Sequence, residues 1–227
     1  MSWLSVQIIS RGCIIYAMTE EYWLELATAV LADTALTTRF SNGHSACATL
    51  PEVRRATGFA AWKHTGQFRK GEGKTPYIHH PVEVAAILSE VGAVEDSELL
   101  QAALLHDTIE DTDTQREEIE SHFGARVCSI VLEVTDDKSL QKQERKAAQI
   151  AHAPQLSKEA QSLKLADKIS NVFDVAFSTP VDWPPERQLA YFDWASQVVA
   201  GLRGCNAALE ALFDEQVARS REFVKGN

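Results

Sequence analysis

The sequence has few cysteines, and their spacing matches no cysteine-based scaffold. The four of them, Cys13, Cys47, Cys128 and Cys205, are widely scattered over 227 residues and form no C-x-x-C motif. Zinc knuckles and disulfide frameworks both need cysteines at short, regular spacings. The sequence therefore predicts neither, and we expect a protein of the reducing cytoplasm.

Positive charge is also in the minority. The chain has 22 lysines and arginines against 32 aspartates and glutamates, which gives a net charge of −10. Proteins that bind nucleic acid normally present a basic surface to the phosphate backbone. We therefore expect no nucleic-acid partner, and a small phosphate-rich substrate would have to be held by a local cluster of cations.

Long apolar runs and strand-like alternation are both missing. The apolar stretch in residues 1–18 is interrupted by Arg11, is too short to span a bilayer and lacks the basic start and cleavage site of a signal peptide. We expect no membrane partner and a loosely docked tail there, with Met18 as an alternative start. Apolar residues elsewhere recur at helical spacing, so the predicted fold is all-α.

The length suits one well-buried domain, and the helical spacing predicts where most helices lie. No feature of the sequence indicates an oligomeric state. The predicted helices span residues 20–36, 52–68, 82–91, 125–134, 143–151, 157–177, 186–201 and 206–221. A capping box at Thr114–Glu117 is expected to open a further helix that ends at Phe123 and Gly124.

The most informative stretch is residues 102–112, an apolar helical run that suddenly presents four ionisable side chains. These are His106, Asp107, Glu110 and Asp111. Residues three and four apart share a helix face, so the imidazole and the carboxylates fall together. Three carboxylates so close repel one another unless a cation lies among them, and imidazole with carboxylate suits a divalent metal. A solvated helix end is the alternative, but the surrounding leucines favour a site set into the core.

Two further segments, TPYIHHP at 75–81 and LKLADKISN at 163–171, extend this pattern, and HTGQFRK at 64–70 precedes them. These boxes, in this order around LLHDTIEDT, resemble the HD superfamily of metal-dependent phosphohydrolases, specifically its alarmone-hydrolase branch. The resemblance covers residues 56–213 and implies an all-α HD-domain bundle. No synthetase-like segment follows, so we expect a stand-alone small alarmone hydrolase of the stringent-response type.

The resemblance also sets the expected domain boundaries. Residues 1–51 fall outside it, and we expect them to form a partly flexible N-terminal extension that packs a helix on the domain. Residues 52–227 would then be the HD phosphohydrolase domain. His44, in the polar loop of the extension, is expected to be a solvated histidine.

By the same resemblance, one divalent cation per chain, Mn²⁺, is expected to bind His80, His106, Asp107 and Asp167. His79 is an alternative to His80, but only His80 is followed directly by proline as in the family. An aspartate within an apolar helix is costly unless it is paired or binds a cation, which independently favours Asp167. Nitrogen-and-oxygen ligation alone would also allow iron, cobalt or zinc.

The family pattern assigns the remaining roles. Glu110 and Asp111 would orient the attacking water and exchange protons with it, while His64 would lie beside the site or cap its helix. Substrate contacts are expected from Arg69, Lys70, Lys142, Asn171, Arg187 and Tyr191. Each of the charged residues has an ordinary alternative as a solvated surface charge.

The expected reaction is the hydrolysis of the 3′-pyrophosphate of guanosine 3′,5′-bis(diphosphate). The adenosine analogues and the 2′-phosphate of NADPH are alternative substrates, because all present a phosphorylated ribose. A metal-dependent nucleotide sensor without turnover is the non-enzymatic alternative. The intact Glu110–Asp111 pair argues against it, since a pure binder has no need of both carboxylates.

Overall fold

The computed structural model describes residues 20–32, 50–71 and 73–226. These residues contain no strand, only isolated bridges between Phe68 and Pro76 and between Gly71 and Pro180. The prediction of an all-α fold is confirmed. The predictions for residues 1–19 and 33–49, including His44 and the end of the first helix, lie outside the described residues.

The helices are numbered here in chain order. They are α1 Glu20–Leu31, α2 Pro51–Lys63, α3 His79–Ala86 with a π-helical continuation Ile87–Val91, α4 Ser97–Leu105, α5 Thr108–Asp111, α6 Arg116–Phe123, α7 Ala125–Val134, α8 Lys142–His152 with a 3₁₀ turn Ala153–Gln155, α9 Lys158–Phe177, α10 Pro185–Ala200 and α11 Ala207–Gly226. Within the described ranges, no helix is both long enough and apolar enough to cross a lipid bilayer.

Two helix boundaries differ from the predictions in ways that affect the site. Helix α3 begins at His79 rather than Val82, because the first backbone N–H groups of a helix need no partner within it and Pro81 therefore costs no hydrogen bond. His80 thus lies within the first turn. Helix α2 ends at Lys63 rather than Phe68, since Gly66 turns the chain with a φ of +78°.

The predicted capping box at Thr114 is also wrong. Helix α6 begins at Arg116, and its N-cap residue Gln115 makes no side-chain cap bond. The hydroxyl of Thr114 is instead buried and lies 2.7 Å from that of Thr112. The side chain of Thr114 therefore bonds within the turn that follows the acidic stretch and does not cap helix α6.

Two helices form the centre of the molecule. Helix α4 is buried from Leu99 to Leu105 and packs against α2, α3 and α7. Helix α9 is surrounded by α3, α7, α10 and α11 and is buried along most of its length. Its buried residues include charged and polar ones, Lys164, Asp167, Lys168 and Ser170. Buried polar groups need partners, so this helix is the place to look for a functional site.

Helix α1 packs on α2 through an aromatic contact and a close backbone approach. The rings of Trp23 and Phe59 meet edge to face with their centroids 5.1 Å apart. A Cβ atom at Gly58 would lie 1.9 Å from the carbonyl oxygen of Trp23, so only glycine allows this approach. The division of the chain at residue 51 stays a prediction.

Candidate metal centre and active site

The helix predicted to run through residues 102–112 is interrupted at the site. Helix α4 ends at Leu105, and the short helix α5 starts after Asp107. The Nδ1 of His106 lies 2.7 Å from the carbonyl oxygen of Ala103, and the hydroxyl of Thr108 donates to that of Leu105 over 2.7 Å. These side chains satisfy carbonyls that a continuing helix would have used. The break turns His106 and Asp107 toward α3 and α9.

The four predicted metal ligands, called here the ligand quartet, converge from three parts of the chain: His80, His106, Asp107 and Asp167. The Nε2 of His80 lies 3.2 Å from Oδ1 of Asp167 and 3.6 Å from Oδ2 of Asp107. The Nε2 of His106 lies 3.2 Å from the same Asp107 oxygen and 3.9 Å from Oδ1 of Asp167. One atom each from His80, His106 and Asp167 falls within a span of 4.8 Å.

The chemistry of this cluster fits a bound cation. In the neutral imidazole of His106, the Nδ1–H donates to Ala103, so Nε2 carries a lone pair. That nitrogen is buried and has no hydrogen-bond partner among the described residues. Burial lowers the pKa of His106, but the carboxylates of Asp107 and Asp167 outweigh it and raise the pKa to about 9. The cluster thus attracts positive charge, and its N,N,O,O donors suit a divalent metal.

Neighbouring side chains hold the two carboxylates of the quartet. The hydroxyl of Tyr77 donates to Oδ2 of Asp107 over 2.6 Å and lies 3.1 Å from Oδ2 of Asp111. Burial and these carboxylates raise the pKa of Tyr77 well above its ordinary value, so the phenol stays a donor. On α9, the ammonium of Lys168 lies 2.9 Å from Oδ2 of Asp167. The carboxylates are therefore oriented before any cation binds.

The acidic pair, Glu110 and Asp111, lies at the rim. The backbone N–H of Asp136 donates to Oε2 of Glu110 over 3.2 Å. The ammonium of Lys138 lies 2.8 Å from Oδ1 of Asp111 and 3.5 Å from Oε1 of Glu110. Burial, followed by the charges of Asp136 and Asp107, raises the pKa of Glu110. A carboxylate with a raised pKa is suited to exchanging protons near neutral pH.

A cleft of about 170 Å³ opens over the ligand quartet and the acidic pair. Its lining also includes the polar side chains of Tyr77, Asp136, Gln149, Lys164, Lys168 and Asn171. The Nζ of Lys164 donates to the carbonyl oxygen of Val134 over 3.0 Å and is almost wholly buried. The cleft thus combines an acidic floor with cations in its wall, a combination that can receive phosphate groups through a metal.

Of the predicted substrate contacts, Asn171 lines this cleft and Arg69 is joined to it. The guanidinium of Arg69 lies 2.7 Å from Oδ2 of Asp174 and donates to Oδ1 of Asn171 over 2.9 Å. Its side chain is 16% exposed, so most of it is held by the protein. Lys70 is exposed and does not line the cleft; its carbonyl oxygen accepts from the N–H of Val181.

The remaining predicted contacts lie on a separate cation–aromatic surface. Lys142 is exposed and is the first residue of α8 rather than part of the preceding loop, because a capping box starts the helix there. Arg187 lies over the ring of Trp183 at 4.2 Å, and the rings of Tyr191 and Trp194 are 5.3 Å apart.

This surface is adjacent to the cleft, because Lys168 of the cleft wall also lies 4.9 Å from the centre of the Trp194 ring. Lys146 lies among the cations of this surface and of the cleft wall. Burial lowers the pKa of Lys146, and the nearby charges of Lys142, Arg187 and Lys168 lower it further. The surface therefore gathers positive charge in an acidic protein.

Several residues of the site were not predicted from the sequence. Lys164 and Lys168 lie on either side of Asp167 on a buried helix. Two lysines four residues apart in an apolar run could have predicted that cations face a cleft. Tyr77 and Lys138 carried no comparable signal. His64 caps α2, as one alternative predicted, and its buried ring also stacks on Tyr77 at 4.7 Å. His79 is not part of the described cluster.

Comparisons with known proteins identify the family of this chain. The HD domain family matches residues 56–190. The guanosine-3′,5′-bis(diphosphate) 3′-pyrophosphohydrolase MESH1 of Xenopus tropicalis is 55% identical over 162 residues, which cover 71% of this chain and 90% of the relative. The enzyme of the same name from Danio rerio is 54% identical over 164 residues, covering 72% and 91%.

A solved structure is also similar. It is described as a metazoan ortholog of SpoT that hydrolyses ppGpp and plays a role in starvation responses. It is 47% identical in sequence, covers 74% of this chain and 94% of its own, and superposes with a TM-score of 0.72. The predicted resemblance is confirmed, and the chain belongs to the HD domain family.

Proposed function

We propose that this protein hydrolyses guanosine 3′,5′-bis(diphosphate) and its 5′-triphosphate counterpart at the 3′-pyrophosphate. The products are pyrophosphate and GDP or GTP. The observation that carries the proposal is the convergence of two imidazoles and two carboxylates at the floor of a cleft whose wall holds buried lysines. Relatives named for this reaction, 54–55% identical to the chain, support the choice of substrate.

In this proposal the ligand quartet holds one divalent cation per chain, Mn²⁺. When bound, the cation supplies charge neutralisation at a phosphoryl oxygen and lowers the pKa of a coordinated water. The buried, unpartnered lone pair of His106 Nε2 and the facing carboxylates support a divalent ion. The family resemblance supports manganese among the metals that this donor set accepts.

The acidic pair handles the proton in this proposal. The water oxygen forms a bond to the phosphorus attached to O3′ of the ribose, the bond between that phosphorus and O3′ breaks, and its electron pair stays on O3′. Glu110, held by the Asp136 N–H, takes the proton from the water, and a proton is returned to O3′. Asp111, held by Tyr77 and Lys138, orients the water.

The substrate is held by short-range cations, because a protein of net charge −10 does not attract an anion over long range. Arg69 and Asn171, already joined to each other, reach the cleft from one side. Lys70, Lys142 and Arg187 supply further positive charge, and Tyr191 offers an aromatic face for the base. Arginine grips phosphate with a two-pronged donor fork, which suits Arg69 and Arg187 to this role.

We also propose a cytoplasmic location. Cys128 and Cys205 are free thiols, as in proteins of reducing compartments.

The test is a substrate panel. Metal-free protein is incubated with ppGpp, ppApp or NADPH, with and without Mn²⁺, and the products are identified by chromatography. We expect GDP and pyrophosphate from ppGpp, and only when Mn²⁺ is present. Release of phosphate from NADPH, or turnover of ppApp, without turnover of ppGpp would replace the proposed substrate by an alternative. Binding of ppGpp without any product would make the protein a sensor.

A further inference from the structure

We infer that Ser170 and Glu83 form a hydrogen-bonded relay that positions His80 as a metal ligand. The Nδ1 of His80 lies 3.0 Å from the hydroxyl oxygen of Ser170, and that hydroxyl donates to Oε2 of Glu83 over 2.7 Å. The inference rests on the metal site of the proposed function. Ser170 and Glu83 are positioning residues in it, because they act through His80 and touch neither metal nor substrate.

The directions of the hydrogen bonds follow from counting hydrogens. A carboxylate only accepts, so the single hydroxyl hydrogen of Ser170 goes to Glu83. The Ser170 oxygen can then only accept from His80, which places the hydrogen of the neutral imidazole on Nδ1. The lone pair of Nε2 consequently points toward the ligand quartet, where Oδ1 of Asp167 lies 3.2 Å away.

The relay joins helices α3 and α9, and on each helix its residue lies three positions after a metal ligand. His80 and Glu83 lie three residues apart on α3, and Asp167 and Ser170 lie three residues apart on α9. Residues at this spacing share a helix face. Each helix therefore contributes one member of the ligand quartet and one member of the relay, and the relay fixes the position of the two ligands relative to each other.

The hydroxyl of Ser170 does not make the hydrogen bond that serines within helices commonly make. A serine inside a helix usually donates to the carbonyl four residues earlier, as Ser162 of the same helix does to Lys158 over 2.9 Å. Ser170 is fully buried, yet its hydroxyl crosses to α3 instead. Metal-binding histidines are generally oriented by an acceptor for their other ring N–H, often a carboxylate, and here the buried hydroxyl links that N–H to the carboxylate of Glu83.

Loss of the relay has a defined chemical consequence. Without the Ser170 hydroxyl, the Nδ1 of His80 loses its acceptor. The tautomer with the hydrogen on Nε2 then becomes the more stable one, because Asp167 accepts that hydrogen. A hydrogen on Nε2 blocks the lone pair that the metal needs. Removing such a partner typically weakens metal binding by about 10–100-fold.

The test compares Ser170→Ala and Glu83→Gln with Ser162→Ala, a matched control on the same helix. Each metal-free protein is titrated with Mn²⁺, and free Mn²⁺ is counted by electron paramagnetic resonance. We expect Ser170→Ala to raise the dissociation constant by about 10–100-fold. Glu83→Gln should raise it less, because the amide oxygen still accepts from Ser170. The control should bind like the unaltered protein.

A second readout does not involve metal or activity. Nitrogen NMR of metal-free, histidine-labelled protein reports which nitrogen of His80 carries the hydrogen, and we expect Nδ1 in the unaltered protein and a shift toward Nε2 in Ser170→Ala.

Circular dichroism checks that each variant folds. Should Ser170→Ala unfold, Glu83→Gln, at a half-buried position, carries the test. Unchanged Mn²⁺ affinity in the folded variants would overturn the relay. Absence of Mn²⁺ binding by the unaltered protein would instead overturn the metal site itself.

Discussion

The floor of the cleft and its rim are held in different ways. At the floor, each member of the ligand quartet has a protein partner: a backbone carbonyl for His106, Ser170 for His80, Tyr77 for Asp107, and Lys168 for Asp167. At the rim, the Lys138 side chain is 51% exposed, and on the adjacent cation–aromatic surface Lys142 and Arg187 are exposed. The floor is therefore a preorganised site, whereas the rim keeps cations that can move to meet a substrate.

The largest effect is expected at the floor, from Asp107→Asn. The change keeps the size of the side chain but removes the charge that faces both imidazoles, so metal content and hydrolysis should fall together, the latter by at least about 100-fold. Metal analysis of the purified variant alongside a ppGpp assay measures both. Full activity in a metal-depleted Asp107→Asn protein would contradict the distinction between floor and rim.

The next effect is expected at the rim, from Glu110→Gln. Metal content should stay close to that of the unaltered protein, while kcat falls by about 10²–10⁴-fold, because the amide cannot take up a proton. Loss of the metal in this variant would show that Glu110 is a ligand and belongs to the floor.

A smaller effect is expected from Arg69→Ala, which tests how the substrate is held. We expect KM to rise with kcat largely spared, because the guanidinium is held by Asp174 and Asn171, away from the reacting bond. Arg69→Lys should not be silent, since lysine lacks the two-pronged donor fork. Arg126→Ala, which removes surface ion pairs with Asp96, Glu98 and Glu159, is the matched control. Unchanged kcat and KM in folded, metal-loaded Arg69→Ala would remove this residue from the site.

The smallest effect on catalysis is expected from Gly58→Ala, outside both regions. The added methyl group would collide with the carbonyl oxygen of Trp23, so α1 must shift on α2 at a cost of about 1–3 kcal/mol in the free energy of unfolding. A thermal melt should show a lower Tm while kcat and KM remain unchanged. A loss of kcat at unchanged stability would link α1 to the cleft.

The floor was more predictable from the sequence than the rim, for a physical reason. A metal-binding cluster needs fixed residue types, and His80, His106, Asp107 and Asp167 stand in short motifs that resemble those of the HD family; their roles as ligands stay predictions. The break of the helix after Leu105 was not predicted, because it depends on His106 and Thr108 hydrogen-bonding to backbone carbonyls.

The rim depends on tertiary contacts that no local pattern records. The contact between Arg69 and Asp174 joins residues 105 positions apart, and Lys138 reaches the acidic pair from the loop before α8. Lys142 was predicted to lie in that loop, but the capping box of Gln141 and Glu144 places it in the helix. Exposed lysines obey few packing constraints, so their positions emerge only from the folded chain.

The central claim is that one divalent cation, bound by the ligand quartet, is required for hydrolysis. The most direct measurement removes all metal with a chelator, verifies its absence by elemental analysis, and follows pyrophosphate release from ppGpp as Mn²⁺ is added back. We predict no release from the metal-free protein and a rate that saturates at one Mn²⁺ per chain. Full hydrolysis by protein shown to contain no metal would contradict the claim.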